Sequence, residues 1–247
     1  MGKRVIDLLE AAGDTFLSGE AMSRELGITR AAVWKQVKRL RETGYEIEAV
    51  TNHGYRLKNR PEALNREAIL QTLGHHPWRD NIHVLETVDS TNNLAKTEAM
   101  QGAPHGSVYL SDEQTGGRGR QGRAFLSPRG KGLYFSVLLR PDCAPAARSH
   151  VTAMAAVAAC DAIEAACGVR PGIKWTNDLI LGEKKCTGIL SEMSVEWESG
   201  ALEYLVIGIG LNCSQTRNDF PEELRHKATS ILLETGQRVR RKRAASP

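Results

Sequence analysis

Residues 173–193 read IKWTNDLILGEKKCTGILSEM, and this stretch decides the fold class of the chain. Its short apolar runs at Ile173–Trp175, Leu179–Leu181 and Thr187–Met193 predict strands, and Glu203–Ile209 predicts a further one. No helical pattern separates these strands, whereas neighbouring parallel strands need a long crossover connection. We therefore expect antiparallel pairing here, and the sequence predicts an α+β protein with a mixed, largely antiparallel sheet.

The residues before this stretch supply the other elements of the same predicted domain. Ile82–Thr87, Ser107–Leu110 and Leu133–Leu139 predict strands, Ala146–Cys167 predicts a long helix, and Ser90 is predicted to cap a helix that runs to about Met100. Asn59-Arg60-Pro61 indicates a domain boundary. We expect a first domain at residues 1–60, a second at 64–237, and a disordered basic tail at 238–247.

Charge is distributed unevenly along the 247 residues, whose net charge is +4. Residues 1–60 hold 11 basic and 8 acidic side chains, residues 61–237 hold 17 and 21, and the last ten residues hold five basic side chains and no acid. Both ends are therefore basic while the middle is acidic, which indicates that the two domains bind different partners.

No segment of the sequence predicts export or insertion into a membrane. The most apolar stretch, Val151–Cys160, is well short of the roughly 20 residues that span a bilayer, and the amino terminus lacks a signal-peptide pattern. The five cysteines are widely spaced without a C-x-x-C motif, which favours reduced thiols over disulfides or a zinc site. We expect a cytoplasmic protein with no membrane partner and no fixed metal site of its own.

Residues 1–60 predict a winged helix-turn-helix. Val5 to Leu9 have helical spacing, Ser18 caps a second helix ending at Gly27, and Thr29 caps a third that runs from Arg30 to about Thr43. Tyr45–Val50 and Tyr55–Leu57 predict the two strands of a hairpin wing.

The third helix is strongly basic, with Arg30, Lys35, Lys38, Arg39 and Arg41 and no acid before Glu42. Cations along one helix suit phosphate contacts, and the first turn can reach base edges in a major groove. The predicted DNA-binding residues are Thr29, Arg30, Ala31, Trp34, Lys35 and Lys38. Two alternatives stay open: a solvated basic face, and a winged helix that binds protein or has lost DNA binding.

Gly117-Arg118-Gly119-Arg120-Gln121-Gly122-Arg123 matches the G-x-G-x-x-G pattern of dinucleotide-binding folds. The context rejects that interpretation, because the residues after the motif do not open a helix and no acidic residue ends a second strand about 20 residues later. Three arginines and unhindered backbone amides instead predict a flexible loop that closes on an anion such as phosphate. An exposed basic loop is the alternative.

Two further sites carry polar chemistry in the segment that decides the fold. Lys174-Trp175-Thr176-Asn177-Asp178 places an amide and a carboxylate at a turn, and Lys185 lies at the start of the following strand. An ammonium group there can stabilise a phosphate or a reacting carboxylate as charge develops. Taken separately, such residues are more often turn-forming groups and surface charges.

The motifs together, in this order, resemble those of bacterial biotin protein ligases. They are Ser90-Thr91-Asn92, Gln114 with the G-R-G-R-x-G-R loop, K-W-x-N-D at 174–178, K-x-x-G-I-L at 185–190 and Gly208-Ile209-Gly210-Leu211-Asn212. Residues 1–60 resemble the winged helix-turn-helix of the bifunctional subgroup, whose members both ligate biotin and repress transcription. The resemblance covers roughly residues 3–237 and implies a catalytic domain like that of class II synthetases.

The resemblance implies a role for individual residues. Ser90, Thr91, Asn92, Gln114, Arg118, Gly119, Arg120 and Lys185 would contact biotin, and Arg120 and Lys185 would act in catalysis. Gly117, Arg123, Phe125, Asn177, Asp178 and Asn212 would lie near ATP or the adenylate, with Mg²⁺ entering together with ATP, near Asp178. Phe125 stands where the family commonly has Trp, and Thr176 stands where it commonly has Pro.

The resemblance also implies substrates and partners. ATP and biotin would form biotinyl-5′-AMP, which donates biotin to a lysine of a biotin carboxyl carrier protein and acts as corepressor for a homodimer on operator DNA. The small carboxyl-terminal β-barrel of the family is expected to be missing, so a biotin-sensing DNA-binding regulator without full ligase activity is an alternative. A lipoate ligase is disfavoured, because the loop typical of that class is absent from the sequence.

Overall fold

The structure is a computed structural model that describes residues 4–42, 45–59, 64–142, 145, 148–198 and 200–239. It forms two compact units, residues 1–62 and 63–247. Arg60 and Pro61 of the expected boundary, and residues 240–247 of the expected basic tail, lie outside the described residues. Each unit has its own apolar core.

The first unit is the winged helix-turn-helix that the sequence predicts. It contains α1 (Val5–Ala11), α2 (Gly19–Leu26), α3 (Arg30–Glu42) and an antiparallel hairpin of β1 (Glu46–Val50) and β2 (Gly54–Asn59). Ser18 Oγ accepts a hydrogen bond from Ala21 N at 3.0 Å, and Gly27 ends α2 with a φ of 63°. Thr29 Oγ1 accepts from Ala32 N at 3.1 Å, so a cap starts α3 directly after the turn.

One basic residue of α3 has a structural role in this unit. The guanidinium of Arg41 donates to Ile47 O from Nε at 3.0 Å and from Nη2 at 2.6 Å, which ties α3 to the wing. Arg41 therefore anchors the wing with two of its donor groups, a role that the sequence did not predict.

The second unit is an α+β domain built on one seven-stranded sheet, as predicted. Its helices are α4 (Arg66–Leu73), α5 (Thr91–Met100), α6 (Arg148–Cys167) and α7 (Ile231–Thr235). Its strands are β3 (Ile82–Leu85), β4 (Ser107–Ser111), β5 (Gly132–Leu139), β6 (Gly172–Lys174), β7 (Asp178–Leu181), β8 (Lys184–Val195) and β9 (Leu202–Asn212). The strand order is β3-β4-β5-β9-β8-β7-β6, and only β3 and β4 are parallel.

Strand alternation gives the two faces of this sheet different coverings. On β5 and β9, Leu133, Leu205 and Leu211 belong to the large core that includes α4 and α6. Leu138 and Val206 point the other way and pack with Ala95 and Ala99 of α5. Successive side chains of a strand alternate between faces, so one sheet supports two separate surfaces.

The long helix α6 is amphipathic only weakly. By length and composition alone, Ser149–Cys167 would be able to cross a bilayer. In the fold, Ala156, Cys160 and Ile163 are buried in the core of the sheet, and Thr152 Oγ1 is hydrogen-bonded to Ser191 Oγ at 2.9 Å. These contacts explain its apolar composition by packing against the sheet.

The structure differs from the predicted elements mainly at their ends. β8 begins three residues earlier than predicted because its start pairs with β7, and it ends two residues later because its end pairs with β9. β3 ends at Leu85, two residues earlier than predicted. The short helices α4 and α7 were not predicted, although Asn65 caps α4 and Ser230 caps α7 through their side-chain oxygens. Helices this short have little periodic pattern.

The second strand of the wing begins at a glycine, Gly54, whose surroundings leave no room for a side chain. Gly54 has a φ of 105°, and a Cβ there would lie 2.1 Å from Leu17 O. Leu17 and Tyr55 exchange two backbone hydrogen bonds of 2.8 Å at this point. We expect Gly54→Ala to lower the free energy of unfolding of this unit by about 1–3 kcal/mol.

Gly13→Ala is the matched control, because Gly13 also has a positive φ (57°) but no atom within 4 Å of an added Cβ. Urea unfolding followed by amide hydrogen exchange in α1–α3 measures both variants. Equal destabilisation by the two substitutions would show that the Leu17 contact does not constrain the wing.

Candidate functional site

A cavity of about 40 Å³ lies on the sheet face that α5 covers. Its floor is formed by Gly188 of β8 and by Gly208 and Gly210 of β9, with Gly188 and Gly210 paired across the two strands. Ten of the residues proposed from the sequence line it: Ser90, Thr91, Asn92, Gln114, Arg118, Gly119, Arg120, Phe125, Asn177 and Lys185. Motifs that are up to 120 residues apart in sequence, from Ser90 to Gly210, therefore meet in one site.

The glycines of the floor are required by close contacts. A Cβ on Gly208 would lie 2.0 Å from Asn92 Oδ1, and one on Gly210 would lie 2.5 Å from the Phe125 ring. Any side chain at these two positions would therefore displace Asn92 or Phe125. The absence of side chains leaves room for polar groups directly above the strands.

The start of α5 supplies the polar wall of the cavity. Thr91 N donates to Gln114 Oε1 at 2.9 Å, and Gln114 Nε2 donates to Ser127 Oγ at 2.8 Å. Ser90 is the residue before the helix, but its side chain makes no capping hydrogen bond, contrary to our expectation. Gln114 satisfies the first amide of the helix, and the Ser90 side chain lines the cavity instead.

A buried hydrogen-bonded chain behind this wall was not predicted from the sequence. Ser136 Oγ, which is inaccessible to solvent, lies 2.8 Å from Thr91 Oγ1 and 2.6 Å from Asn92 Oδ1. Asn92 Nδ2 donates to Glu192 Oε2 at 2.8 Å, and Lys96 Nζ lies 2.6 Å from Glu192 Oε1. A serine within the apolar strand β5 is the one local signal that would have indicated this chain.

Lys185 reaches the cavity because of a bulge in β8. Leu179 pairs with Thr187 and Ile180 with Lys185, so Cys186 is an extra residue on β8. Such a bulge reverses which face the next side chain occupies. Lys185 N donates to Lys227 O and Thr229 N donates to Lys185 O, both at 2.8 Å, so the backbone of this lysine is held on both sides.

Asp178 is the ionic partner of this lysine. Lys185 Nζ lies 2.7 Å from Asp178 Oδ1, and we treat the two as an ion pair although the angle at the contact is not that of a hydrogen bond. The side chains are 36% and 25% exposed. The pair therefore places an ammonium group, partly screened by a carboxylate, at the edge of the cavity.

The arginine-rich loop lines the cavity with Arg118, Gly119 and Arg120. Arg120 Nη1 donates to Asn177 Oδ1 at 3.0 Å and to Thr176 Oγ1 at 3.3 Å. The motif residues form no α-helix; Arg120–Gly122 is a single 3₁₀ turn with Gln121 at a φ of 56°. Both side-chain contacts of Arg120 are exposed, so breaking them does not require unfolding of the sheet.

Four other residues proposed from the sequence lie near the cavity but do not line it. Gly117 is buried at the base of the loop, where an added Cβ would lie 2.4 Å from Phe125 O. Arg123 is exposed. Asp178 pairs with Lys185. Asn212 is buried and donates to Thr229 O at 3.0 Å while it accepts from Gln215 Nε2 at 3.0 Å. In this geometry Gly117 and Asn212 support the site from within the fold.

A larger groove of about 460 Å³ lies on the opposite face of the sheet, against α6. Its lining is almost entirely apolar and includes Leu133, Phe135, Met154 and Ile163. Convergent polar and charged groups mark a site for chemistry better than volume does. The smaller cavity is therefore the candidate functional site.

The residues that the structure describes contain no group of three or more His, Cys, Asp and Glu side chains placed to hold a metal ion. Three of the cysteines in the described part of the chain, Cys160, Cys186 and Cys213, are buried and form no disulfide. Burial raises the pKa of the Cys186 thiol to about 11, which keeps it protonated and unreactive at neutral pH.

The first unit presents a separate candidate interface on α3. Thr29, Arg30, Ala31, Trp34, Lys35 and Lys38 are all exposed, whereas Val33 and Val37 face the core. Lys38 Nζ lies 5.7 Å from the centroid of the Trp34 ring, and Trp34 is 54% exposed. Thr29 already accepts the capping hydrogen bond of α3, so its hydroxyl has less capacity for a base contact.

The two units define a protein that joins a winged helix-turn-helix to an α+β ligand-binding domain. Residues 84–212 match the model of the biotin/lipoate A/B protein ligase family, and residues 3–56 match a helix-turn-helix domain. The family match covers the cavity and its sheet. The chain belongs to the biotin/lipoate A/B protein ligase family.

Individual relatives show which members of this family the chain is similar to. The chain is 39% identical to the bifunctional ligase/repressor BirA of Bacillus subtilis over 97% of this chain and 73% of that protein, and 32% identical to the Escherichia coli BirA over 83% and 62%. Among solved structures, biotin protein ligase from Aquifex aeolicus in complex with biotin and ATP is 32% identical, with a TM-score of 0.55 over 66% of this chain and 65% of that chain. The chain thus spans about two thirds of the length of these relatives.

The contact of Arg120 with residues 176–177 generates a prediction about the loop. We expect Arg120→Ala to speed amide hydrogen exchange of residues 117–125 by about tenfold, because side-chain hydrogen bonds worth about 1 kcal/mol then no longer hold the loop. Mass spectrometry of the intact chain under native conditions measures this exchange. Arg123→Ala is the control, since Arg123 is exposed and outside the cavity lining, and equal acceleration by both would contradict the contact.

Proposed function

We propose that the second unit is an ATP-dependent biotin protein ligase. The observation that carries this proposal is the meeting of Arg120 and Lys185 with the Thr91–Gln114 hydrogen-bonding wall in one cavity. Cations suit the joining of two anions, and a hydroxyl–amide wall suits a neutral polar head group such as the ureido ring of biotin. The similar ligase from Aquifex aeolicus was solved in complex with biotin and ATP together.

The proposed reaction has two steps. A carboxylate oxygen of biotin attacks the α-phosphorus of ATP, the bond from that phosphorus to the bridging oxygen breaks, and pyrophosphate leaves. The amine of a carrier lysine then attacks the acyl carbon of biotinyl-5′-AMP, AMP leaves, and the amine loses a proton. Biotin carboxyl carrier protein is the proposed acceptor.

The cations act on the first step. Lys185 and Arg120 offset the repulsion between carboxylate and phosphate and stabilise the negative charge that grows at phosphorus. Arginine stays charged and offers paired donors to oxygen atoms. Lys185 has a partner carboxylate in Asp178, so we expect substrate binding to draw its ammonium from Asp178 toward the substrate oxygens.

The remaining residues complete the proposed site. Ser90, Asn92, Arg118 and Gly119 would contact biotin, while Phe125 and Asn177 would lie beside the adenylate, all from positions in the cavity lining. Gly117, Arg123 and Asn212 would act indirectly, because they do not line the cavity. Mg²⁺ would be carried by the ATP phosphates, and Asp178 is the carboxylate that we expect near the ion.

The loop must open for this reaction. The cavity is small, about 40 Å³, and Arg120 is hydrogen-bonded to Asn177 and Thr176 beside it, so we expect Arg120 to release both residues when biotin enters. Closing again over the mixed anhydride would exclude water from an intermediate that hydrolyses readily. The Gly/Arg composition of the loop suits both states.

We propose further that the first unit binds operator DNA and represses transcription when biotinyl-5′-AMP is bound. The exposed basic face of α3 supports this, as does the match to a helix-turn-helix domain. The active form is proposed to be a homodimer that works in the cytoplasm. Two subunits would contact two half-sites of a pseudo-palindrome.

The ligase proposal predicts the effect of Lys185→Met. Incubation of the full chain with ATP and labelled biotin, with and without an apo carrier domain, measures both half-reactions. We expect labelled adenylate and labelled carrier with the wild type, and a fall in adenylation of roughly 10²–10³-fold with Lys185→Met, because one preorganised cation is lost.

Lys184→Met is the matched control and is expected to keep its activity, since the adjacent Lys184 does not line the cavity. Bound biotin without adenylate in the wild type would indicate a regulator that is not a ligase. Use of lipoate in place of biotin would overturn the substrate assignment.

The repressor proposal predicts how DNA affinity depends on salt. Lys35→Ala and Lys38→Ala should each weaken binding to promoter DNA, because one phosphate contact is lost in each variant. A plot of the logarithm of the association constant against the logarithm of the salt concentration should also become less steep, by about 1 for each substitution. Gel shifts at several salt concentrations, with and without biotin and ATP, measure this. Lys184→Ala, which removes a lysine of the second unit, should leave the slope unchanged, and a common change in all three variants would contradict the assignment to α3.

A further inference from the structure

A tryptophan in the turn between β6 and β7 faces solvent. Trp175 is 71% exposed, and Ile173, two residues earlier on β6 at the edge of the sheet, is exposed as well. Single apolar side chains are common on protein surfaces, so exposure alone does not mark an interface. The place of Trp175 in the fold distinguishes it from such residues.

The residues that follow Trp175 in the turn contact the two cations of the cavity. Arg120 Nη1 donates to Asn177 Oδ1 at 3.0 Å, and Lys185 Nζ lies 2.7 Å from Asp178 Oδ1. These side chains are therefore used within the site, whereas the tryptophan directly before them is in solvent. Trp175 thus borders the rim of the cavity.

The turn that carries Trp175 is firmly held. Lys174 and Asp178 pair across the two strands, so the turn between them is short. Asn177 Nδ2 donates to Ile189 O at 3.2 Å, and Ile189 N donates to Asn177 O at 2.8 Å, which ties the turn to β8. A side chain on such a turn has little backbone freedom to lose when a partner binds.

The second step of the proposed reaction decides where the carrier can bind. Its acceptor amine must reach the acyl carbon in the cavity, and a lysine carries that amine on a four-carbon stem. The carrier surface around the acceptor lysine must therefore lie against the rim of the cavity. An exposed aromatic side chain on that rim is the kind of residue that contributes most to binding at protein interfaces.

The residues around Trp175 define the chemistry of the partner surface. The indole offers a broad apolar face, which an apolar side chain of the partner can cover. Lys174 is exposed directly beside it and favours an acidic side chain opposite. A carrier that fits this rim presents an apolar and an acidic residue next to its acceptor lysine.

We propose that Trp175 is a docking residue for the carrier protein: an apolar side chain next to the acceptor lysine packs on the indole, and an acidic one faces Lys174. This inference rests on the proposed function, since it names the surface that the acceptor binds. Trp175 does not line the cavity, so it acts on association of the carrier and not on the formation of biotinyl-5′-AMP.

Trp175→Ala separates docking from chemistry. The full chain is given ATP and biotin, and transfer is measured to an apo biotin carboxyl carrier domain and, separately, to hydroxylamine. The nitrogen of hydroxylamine attacks the acyl carbon, loses a proton and displaces AMP, but the molecule is too small to need a docking surface. We expect KM for the carrier domain to rise about tenfold at a nearly unchanged kcat, with adenylate formation and transfer to hydroxylamine unchanged.

Two further variants serve as controls. Trp175→Phe keeps an aromatic face and should retain most of the carrier affinity, so a loss as large as that of Trp175→Ala would contradict packing on this face. Trp197→Ala removes a tryptophan that is 98% exposed in the turn between β8 and β9, and should leave KM for the carrier domain unchanged. Val195, at that end of β8, is roughly 33 Å along the strand from Lys185. Normal adenylate formation verifies that each variant is folded.

Each outcome decides a different question. A wild type that forms no adenylate and transfers biotin to neither acceptor overturns the proposed function and this inference with it. A carrier KM that is unchanged by Trp175→Ala, or that rises equally with Trp197→Ala, overturns the inference and leaves the ligase proposal standing. An equal loss of transfer to hydroxylamine and to the carrier domain would show that Trp175 shapes the site itself, which also contradicts docking. A rise in KM that is confined to the carrier domain and to Trp175 supports the docking surface.

Discussion

The absence of side chains at one place on the sheet is the constraint on which the candidate site depends. Gly208 and Gly210 face the side of the sheet where Leu138 and Val206 pack with α5. Any Cβ at these glycines would enter the volume of Asn92 or Phe125. The sheet can therefore pack a helix at one end of this face and keep a polar cavity at the other.

Two cations reach that cavity by opposite structural devices. Lys185 is carried by a strand whose bulge turns it to the right face and whose backbone is paired on both sides. Arg120 is carried by a loop held through side-chain hydrogen bonds to Asn177 and Thr176. A rigid cation can be preorganised for a charge that develops in a reaction, while a movable one can admit the molecules that react. In the proposed ligase, the arginines of the loop would supply charge and its glycines would allow the movement.

Much of the fold follows from local patterns, and the predicted residues that line the cavity were found through motifs. Strand alternation and the lack of helices in residues 173–209 were sufficient to predict the antiparallel part of the sheet. The partners of Asn92 were beyond such reasoning, because Ser136 and Glu192 are 44 and 100 residues away in sequence and meet it only through the sheet. Arg41 shows the same limit, since a cation on a basic helix cannot be distinguished from a wing anchor until Ile47 is placed.

The buried hydrogen bonds behind the cavity show how the fold can fix a polar side chain from the side that no ligand reaches. Polar groups buried without partners cost free energy, so both ends of the Asn92 amide need a partner. Its nitrogen donates to Glu192 Oε2 at 2.8 Å, and its oxygen lies 2.6 Å from Ser136 Oγ. Neither Ser136 nor Glu192 lines the cavity, whereas Asn92 does. The polar wall of the cavity is therefore held in place by residues that lie behind it.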